Sequence, residues 1–340
     1  MNYGGVDTHR RNLSAGIVDD VGRAVGTVDV PNTRPGIAKL VEWFAQHDVE
    51  RIGVEGSGST GRLLACTLIA AGFDTSEVPA TRTFRERGRE PGKGKTDLVD
   101  AVIVARVCAA DENLPSVKVD QQAYDLRLLI ERRDELVQER TAQINRVHSA
   151  LVILMPGSKQ PMRTIPQVRA IARKLCRDRS IQAEITRQRL KQIVAIWNEA
   201  DELQRQIDLL LEQRSCERTR AIHGVGTIVC AELVAQIADI RRYRSRHAFA
   251  RANGTAPIPA SSGQTVRVRL NRGGNRQINK LLHRIAVVQL RRHEPARQYY
   301  ARKKAEGKSN TEALRCLKRR ISDTVYRAMQ ADAAAGSPSA

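Results

Sequence analysis

The first 110 residues alternate strand and helix signals in an order that leaves few folds open. Short apolar or β-branched runs come first, at residues 3–6, 13–18 and 24–30, the last two joined by a turn at Asp19, Asp20, Val21 and Gly22. Beyond Pro35, Ile37, Leu40, Val41 and Phe44 recur at helical spacing; strand 52–55, helix 60–71, strand 75–78 and helix 96–108 follow. Three antiparallel strands followed by βα units predict an α/β layer structure with one mixed sheet. Residues 82–95, rich in Arg, Gly and Lys, read as a mobile loop between the last strand and the last helix.

Four acids occupy special places in this order. Asp7 closes the first strand, Glu55 ends the run Arg51, Ile52, Gly53, Val54, and Asp97 and Asp100 are three apart on one helix face. Taken singly, each has an ordinary explanation; a carboxylate at Asp97, just after Thr96, also favours the helix dipole. Together, two strand-end acids and a helix pair match the ribonuclease-H-like arrangement in order and spacing. Hard oxygen ligands suit Mg²⁺ or Mn²⁺, and two such ions about 3.5–4 Å apart can clamp the attacking and leaving oxygens of a phosphodiester. His9 is either a group supporting Asp7 or a simple turn residue. Asp19 and Asp20 in a hairpin turn, and Asp111 and Glu112 past a helix end, lack that setting.

The formal net charge is +20 and it is one-ended. Basic residues number 14 against 14 acidic in residues 1–110, 20 against 16 in 111–220, and 23 against 7 in 221–340. Such asymmetry predicts a polyanionic partner, since cations that neutralise phosphates release counterions. The six cysteines form no CxxC pair and sit among apolar residues, which predicts reduced core thiols and no zinc site. The longest apolar stretch, 63–71, falls short of the roughly 20 residues a bilayer span needs, and no basic segment precedes an apolar one at the N-terminus. The expectation is a cytoplasmic, nucleoid-associated protein.

Domains are expected at 1–112, 113–220 and 221–332, with a disordered tail at 333–340 inside a tail-like stretch from Ala331. Ile130, Val137, Ile144 and Leu151 step by seven, and Ile193, Ile196, Ala200, Leu203, Ile207 and Leu210 step 3, 4, 3, 4, 3 as a coiled-coil seam does. Two long helices are therefore expected, with a polar, proline-containing loop at 155–181. The period of the seams leaves open whether they pair within one chain or between chains; pairing between chains, giving a dimer or tetramer, is the favoured reading. A turn at His223, Gly224, Val225 and Gly226 before an apolar helix suggests a helix-hairpin-helix-like element, whose backbone N–H groups bind phosphate, or a plain packing turn. Candidate nucleic-acid contacts are Arg241, Arg242, Arg244, Arg267, Arg269, Arg272, Arg276, Lys318, Arg319 and Arg320, several beside Gly273 and Gly274. Tyr243, Tyr299 and Tyr300 are weaker candidates for base stacking, and Phe249 suits the core.

The strings GVDTHRR, GVEGSGSTG and GKGKTDLVDA resemble the successive motifs of the RuvC-like DEDD domain in one family of bacterial insertion-sequence transposases. IHGVGTIVCAELVAQI, FARANGTAPIPASSG and RGGNRQINKLLHRIA resemble the C-terminal domain of the same Piv-related, bridge-RNA-guided recombinase family. The resemblance spans nearly the whole chain in order. It implies a RuvC-like domain, a coiled coil and a serine-bearing domain. The implied activity is cleavage of donor and target DNA, attachment through serine and rejoining, guided by a structured RNA. The family pattern places the nucleophile directly before a glycine, hence Ser262, with Ser261 in reserve; the acidic site would supply its activation. Thr255 departs from the leucine many relatives carry there, which leaves the chemistry untouched.

Overall fold

The computed structural model describes residues 1–87, 96–259, 268–269, 271 and 274–335. They form two compact units, Met1–Val119 and Asp120–Ala340.

The first unit carries strands β1 (Asn2–Thr8), β2 (Asn12–Val18), β3 (Ala24–Pro31), β4 (Val49–Val54) and β5 (Asp74–Glu77) in the order β3-β2-β1-β4-β5. β1, β2 and β3 pair antiparallel, and β4 and β5 run parallel to β1, so the mixed sheet is as the sequence predicts. Helices α1 (Arg34–Gln46) and α2 (Arg62–Ala70) contribute Ile37, Leu40, Phe44, Leu64 and Leu68 to a core shared with Val6, Leu13 and Ile52. α1 begins as its sequence dictates, with Thr33 Oγ1 accepting from Gly36 N and proline in the first turn. Where a loop was expected from residue 82, helix α3 (Ala80–Arg87) is formed. Its threonine and arginines are ordinary helix residues; the glycines that suggested a loop begin at Gly88, outside the described residues.

α4 (Asp97–Ala110) lies against the three central strands. Gly16, Gly5 and Gly53 face one another across β2, β1 and β4 in register and make a side-chain-free row under this helix. A Cβ on Gly5 would stand 2.1 Å from Ala105 N and 2.6 Å from Ala101 O, so only glycine admits the helix backbone at this depth. Gly5→Ala should therefore cost about 3 kcal/mol of stability by urea unfolding, because backbone must move to admit the methyl. Gly58→Ala, with nothing within 4 Å of the added methyl, is the matched control and should stay within about 0.5 kcal/mol. Equal midpoints for the two variants would show that the helix does not depend on the glycine row.

The second unit is almost wholly helical. α5 (Gln121–Leu154), α6 (Ile165–Lys174) and α7 (Ile181–Glu212) lead into α8 (Glu217–Arg220), α9 (Thr227–Ile237) and α10 (Arg246–Ala252). A two-stranded ribbon, β6 (Ile258–Pro259) and β7 (Val268–Arg269), precedes α11 (Arg276–Arg292), α12 (Glu294–Ala305) and α13 (Asn310–Ala335). α5 packs along α7 within the chain, the first of the two pairings their seams allow. Ile130, Leu136, Val147 and Leu151 are buried, with Ile193, Ile196, Ala200 and Ile207 on α7, while Val137 and Ile144 are only half-buried. A straight helix of 3.6 residues per turn drifts off a strict seven-residue step, which moves the buried seam from Val137 to Leu136 and from Ile144 to Val147.

Two further expectations need correction. The segment 155–181 contains α6, since Pro166 sits in the first turn, where its missing N–H costs nothing, and Val168, Ile171 and Leu175 bury one face. α7 starts at Ile181, where that loop was expected to end, and Ser180 Oγ caps it by accepting from Ala183 N at 3.2 Å. Likewise residues 331–335, expected in the tail, continue α13. Asp332 is 5% exposed there and accepts from Arg218 N, Thr219 N and Thr219 Oγ1 at 2.9, 2.9 and 2.6 Å. A carboxylate that collects the free N–H groups of a short helix holds the chain end in the core, against a composition that reads as tail. Residues 336–340 lie outside the described residues.

Candidate metal centre and basic surface

Side chains alternate along a strand, so Asp7 shares the face of Gly5, and Glu55 that of Gly53. Val6 pairs with Val54, and Glu55 N donates to Val6 O at 3.0 Å, which sets the two acids side by side at one sheet end. α4, seated on the glycine row, starts at that same end. Thr96 Oγ1 caps it by accepting from Val99 N at 3.3 Å, and its first turn carries Asp97 and Asp100.

The four carboxylates therefore meet, with unequal surroundings. His9 Nε2 stands 3.2 Å from Asp7 Oδ2 and 3.4 Å from Asp97 Oδ1, and these three ligand atoms lie within 4.8 Å of one another. Arg87 Nη2 from α3 approaches Asp100 Oδ1 to 2.5 Å, at an angle that makes no hydrogen bond, so this buried oxygen lacks a directed partner. Thr83 Oγ1, also on α3, donates to Glu55 Oε2 at 3.0 Å. Burial pushes the Asp7 carboxyl above its ordinary value; His9 pulls it down, and Asp100 and Asp97 push it up again. Burial likewise raises Glu55, against the Thr83 hydrogen bond, with Asp7 and Asp100 adding to the rise. Mutual repulsion among partly buried carboxylates is the condition a divalent cation relieves. An oxygen-rich group with one imidazole and one underbonded buried carboxylate oxygen fits such a cation. His9, Thr83 and Arg87 enter the site without having been singled out as ligand, hydrogen-bond donor and counter-ion. Of these, only His9 carried a sequence signal, its position two residues beyond Asp7.

Two family models match this chain. One, a DEDD transposase model named for IS110 and described as a transposase, matches residues 4–156; the other, described as transposase IS116/IS110/IS902 family, matches residues 216–301. The chain belongs to this transposase family. As such it is an enzyme of DNA transposition. The 44.8 kDa protein of insertion element IS116 from Streptomyces clavuligerus is 25% identical over 370 residues, covering 95% of this chain and 93% of its own. The 42 kDa protein of IS900 from Mycobacterium paratuberculosis is 24% identical over 94% of this chain and 93% of its own. A Thermus thermophilus RuvC structure is similar over 31% of this chain and 92% of its own, at 14% identity and a TM-score of 0.26.

In the transposase, the second unit holds the expected basic residues in several different states. Arg241 Nε pairs with Asp239 at 3.0 Å, Arg242 lies 5.0 Å over the Tyr243 ring, and Arg244 and Arg276 are exposed. Arg320 is exposed and lies 4.8 Å over Tyr299. Arg319 pairs with Asp323 at 2.8 Å. Lys318 is a correction: half-buried, it donates to Asn279 Oδ1 at 2.5 Å, and burial lowers its pKa. Asn279 Nδ2 in turn donates to Asn253 O at 2.8 Å, so the lysine braces this part of the fold. Arg267, Arg272, Ser261 and Ser262 lie outside the described residues, and for Arg269 only the backbone is described. Phe249 is fully buried, in edge-on contact with Tyr243.

The segment carrying Ser262 is clamped where it leaves and rejoins the helices. Asn253, fully buried, accepts from Thr255 N and Oγ1 at 3.1 and 2.6 Å and donates to Ser322 Oγ at 2.8 Å. Asn275 N donates to Ala252 O at 2.7 Å, and a Cβ on Gly274 would fall 2.2 Å from Gly254 N. The cysteines are all free; Cys108, Cys216 and Cys230 are buried, whereas Cys176 is exposed, contrary to a uniform core reading. Its place two residues before Asp178, after α6 has ended, puts it in a surface turn. Among the described residues no helix is long and apolar enough to cross a membrane.

Proposed function

We propose that this transposase cuts and rejoins donor and target DNA through two sets of groups. Asp7, Glu55, Asp97 and Asp100 would hold Mg²⁺ or Mn²⁺, with His9 beside Asp7 and Asp97. When bound, the ion supplies Lewis-acid stabilisation of charge on a phosphodiester. Asp7 and Glu55 hold their positions on the sheet, and Thr83 orients the Glu55 carboxylate. Ser262 Oγ attacks phosphorus; the new O–P bond forms as the deoxyribose oxygen departs and takes a proton, and reversal by another strand's hydroxyl rejoins DNA without net hydrolysis. A structured guide RNA selects the sites, and the Gly224–Gly226 turn before α9, with exposed Arg242, Arg244 and Arg276, contacts phosphates. Because the helical seams close within the chain, assembly of two or more copies would use the outer faces of α5 and α7, where Leu128, Val152, Ile153, Ile181 and Leu209 are exposed.

The observation that carries the metal reading is the meeting of Asp7 on β1 and Asp97 on α4 with an imidazole between them, with Glu55 close enough for Asp7 and Asp100 to push its carboxyl up. Calorimetric titration of Mg²⁺ or Mn²⁺ should show saturable binding to the wild type and none of comparable affinity to Asp7→Ala. Equal binding by both would favour a non-catalytic scaffold, in which the acids serve structure alone. A Holliday-junction-type nuclease using water is the alternative within the same chemistry, and it leaves free 5′-phosphate ends.

A further inference from the structure

A cavity of about 580 Å³ opens in the second unit beside the β6–β7 ribbon from which residues 260–267 depart. That volume is within the range of about 300–1,000 Å³ usual for small-molecule sites. Its floor is apolar, built from Ala256, Pro257 and Ile258, and its rim is basic, built from Arg251, His247 and Arg319.

The three rim residues are not equivalent. Arg319 is committed: its ion pair with Asp323 is joined by contacts of Nη1 to Arg246 O at 3.3 Å and of Nη2 to His247 Nδ1 at 3.2 Å. A guanidinium can only donate, and His247 meets one on each side of its ring. Arg246 Nε donates to His247 Nε2 at 3.5 Å, so the imidazole is held between two arginines. Arg251 is exposed, and its guanidinium meets no carboxylate among the described residues. Its backbone is fixed instead, since Asn271 Nδ2 donates to Arg251 O at 3.1 Å.

An apolar floor under a cation suits a ligand that is flat and apolar on one side and anionic on the other. We propose that this pocket holds one unstacked nucleotide of a DNA strand, its base against Pro257 and Ile258 and its phosphate on Arg251. The inference rests on the proposed function, because the ribbon forming the floor also carries the segment of Ser262, and the strand presented there is the one to be cut. RNA lacks that argument. A base taken out of its stack has both faces free to pack against protein, which a duplex does not offer.

The test is fluorescence anisotropy with the full chain in EDTA, where no metal-dependent step interferes. The probes are a labelled single-stranded DNA 12-mer, an RNA 12-mer of the same sequence, and a DNA duplex. Arg251→Ala, and Ala256→Leu, which fills the floor without changing charge, should each weaken single-stranded DNA binding by roughly tenfold. Duplex binding should change by less than about twofold, as should all binding by Lys191→Ala, which removes one exposed charge from α7. Arg251 is exposed, so its variant remains informative if Ala256→Leu misfolds. Wild-type single-strand affinity in both pocket variants, an equal loss for duplex, or selective loss of RNA would each overturn the pocket. Failure of the wild type to bind either DNA probe would instead sink the DNA-cutting reading on which it rests.

Discussion

Asp7→Asn should lower metal-dependent strand cleavage by roughly 10³-fold or more, about 4 kcal/mol of transition-state stabilisation, while DNA binding changes little. The same substitution should make the metal-free protein more stable at neutral pH. Burial and two neighbouring carboxylates raise the Asp7 pKa in the fold. A raised pKa means that the stabilising contribution is fully present below the unfolded value and lost as pH rises through the folded one. Ionisation of Asp7 as pH rises through that window therefore destabilises the metal-free fold, and an amide removes the penalty. Glu55 acts in the same sense through its own burial. Mg²⁺ should reverse the order, stabilising the wild type by mass action and leaving Asp7→Asn unmoved. Thermal melts from pH 4 to pH 8, with and without Mg²⁺, read both effects. A variant that is less stable without metal, yet keeps the full Mg²⁺ shift, would make Asp7 a structural residue.

Ser262→Ala should eliminate the covalent protein–DNA adduct while leaving nucleic-acid affinity within about twofold, since one hydroxyl adds little to a phosphate-dominated interface. The adduct is read as labelled DNA that migrates with denatured protein after incubation with Mg²⁺. Ser261→Ala should still form it. If the adduct survives in Ser262→Ala and disappears in Ser261→Ala, the nucleophile moves by one residue. Persistence in both variants would remove serine from the mechanism, and wild-type products with free 5′-phosphate ends and no adduct would assign the attack to water. No Ser-His-Asp spacing accompanies Ser262 in the sequence, so its reactivity must come from elsewhere in the active assembly.

Much of the first unit was legible because a half-buried sheet writes its period into the chain. The strands, the turn at Asp19 and the capped start of α4 all follow from local chemistry. The acids were legible as a group because Gly5-Val6-Asp7 and Gly53-Val54-Glu55 repeat one pattern on paired strands, although the meaning of the glycines needed the register. What the residues could not disclose is what arrives from other elements. Thr83 and Arg87 reach the site on α3, a helix whose basic composition reads as loop. Lys318 looked like a phosphate ligand by charge alone, and only the fold reveals Asn279 beside it. Asp332 was misread for the converse reason: its alanine-rich neighbours suggest a tail, while its three donors lie more than 100 residues away in sequence. The heptad steps disclosed the two long helices and left the partner open, since such a pattern is blind to whether the facing helix belongs to the same polypeptide.

The row of Gly16, Gly5 and Gly53 acts as a gauge block between helix and sheet. Its thickness fixes how far two carboxylates on α4 stand from two on the strands. Ligand spacing is thus machined into the most tightly packed layer of the unit, and hinge motion of surface segments has no purchase on it. On the proposed metal reading, tuning the ion preference of this enzyme would therefore mean rebuilding its interior.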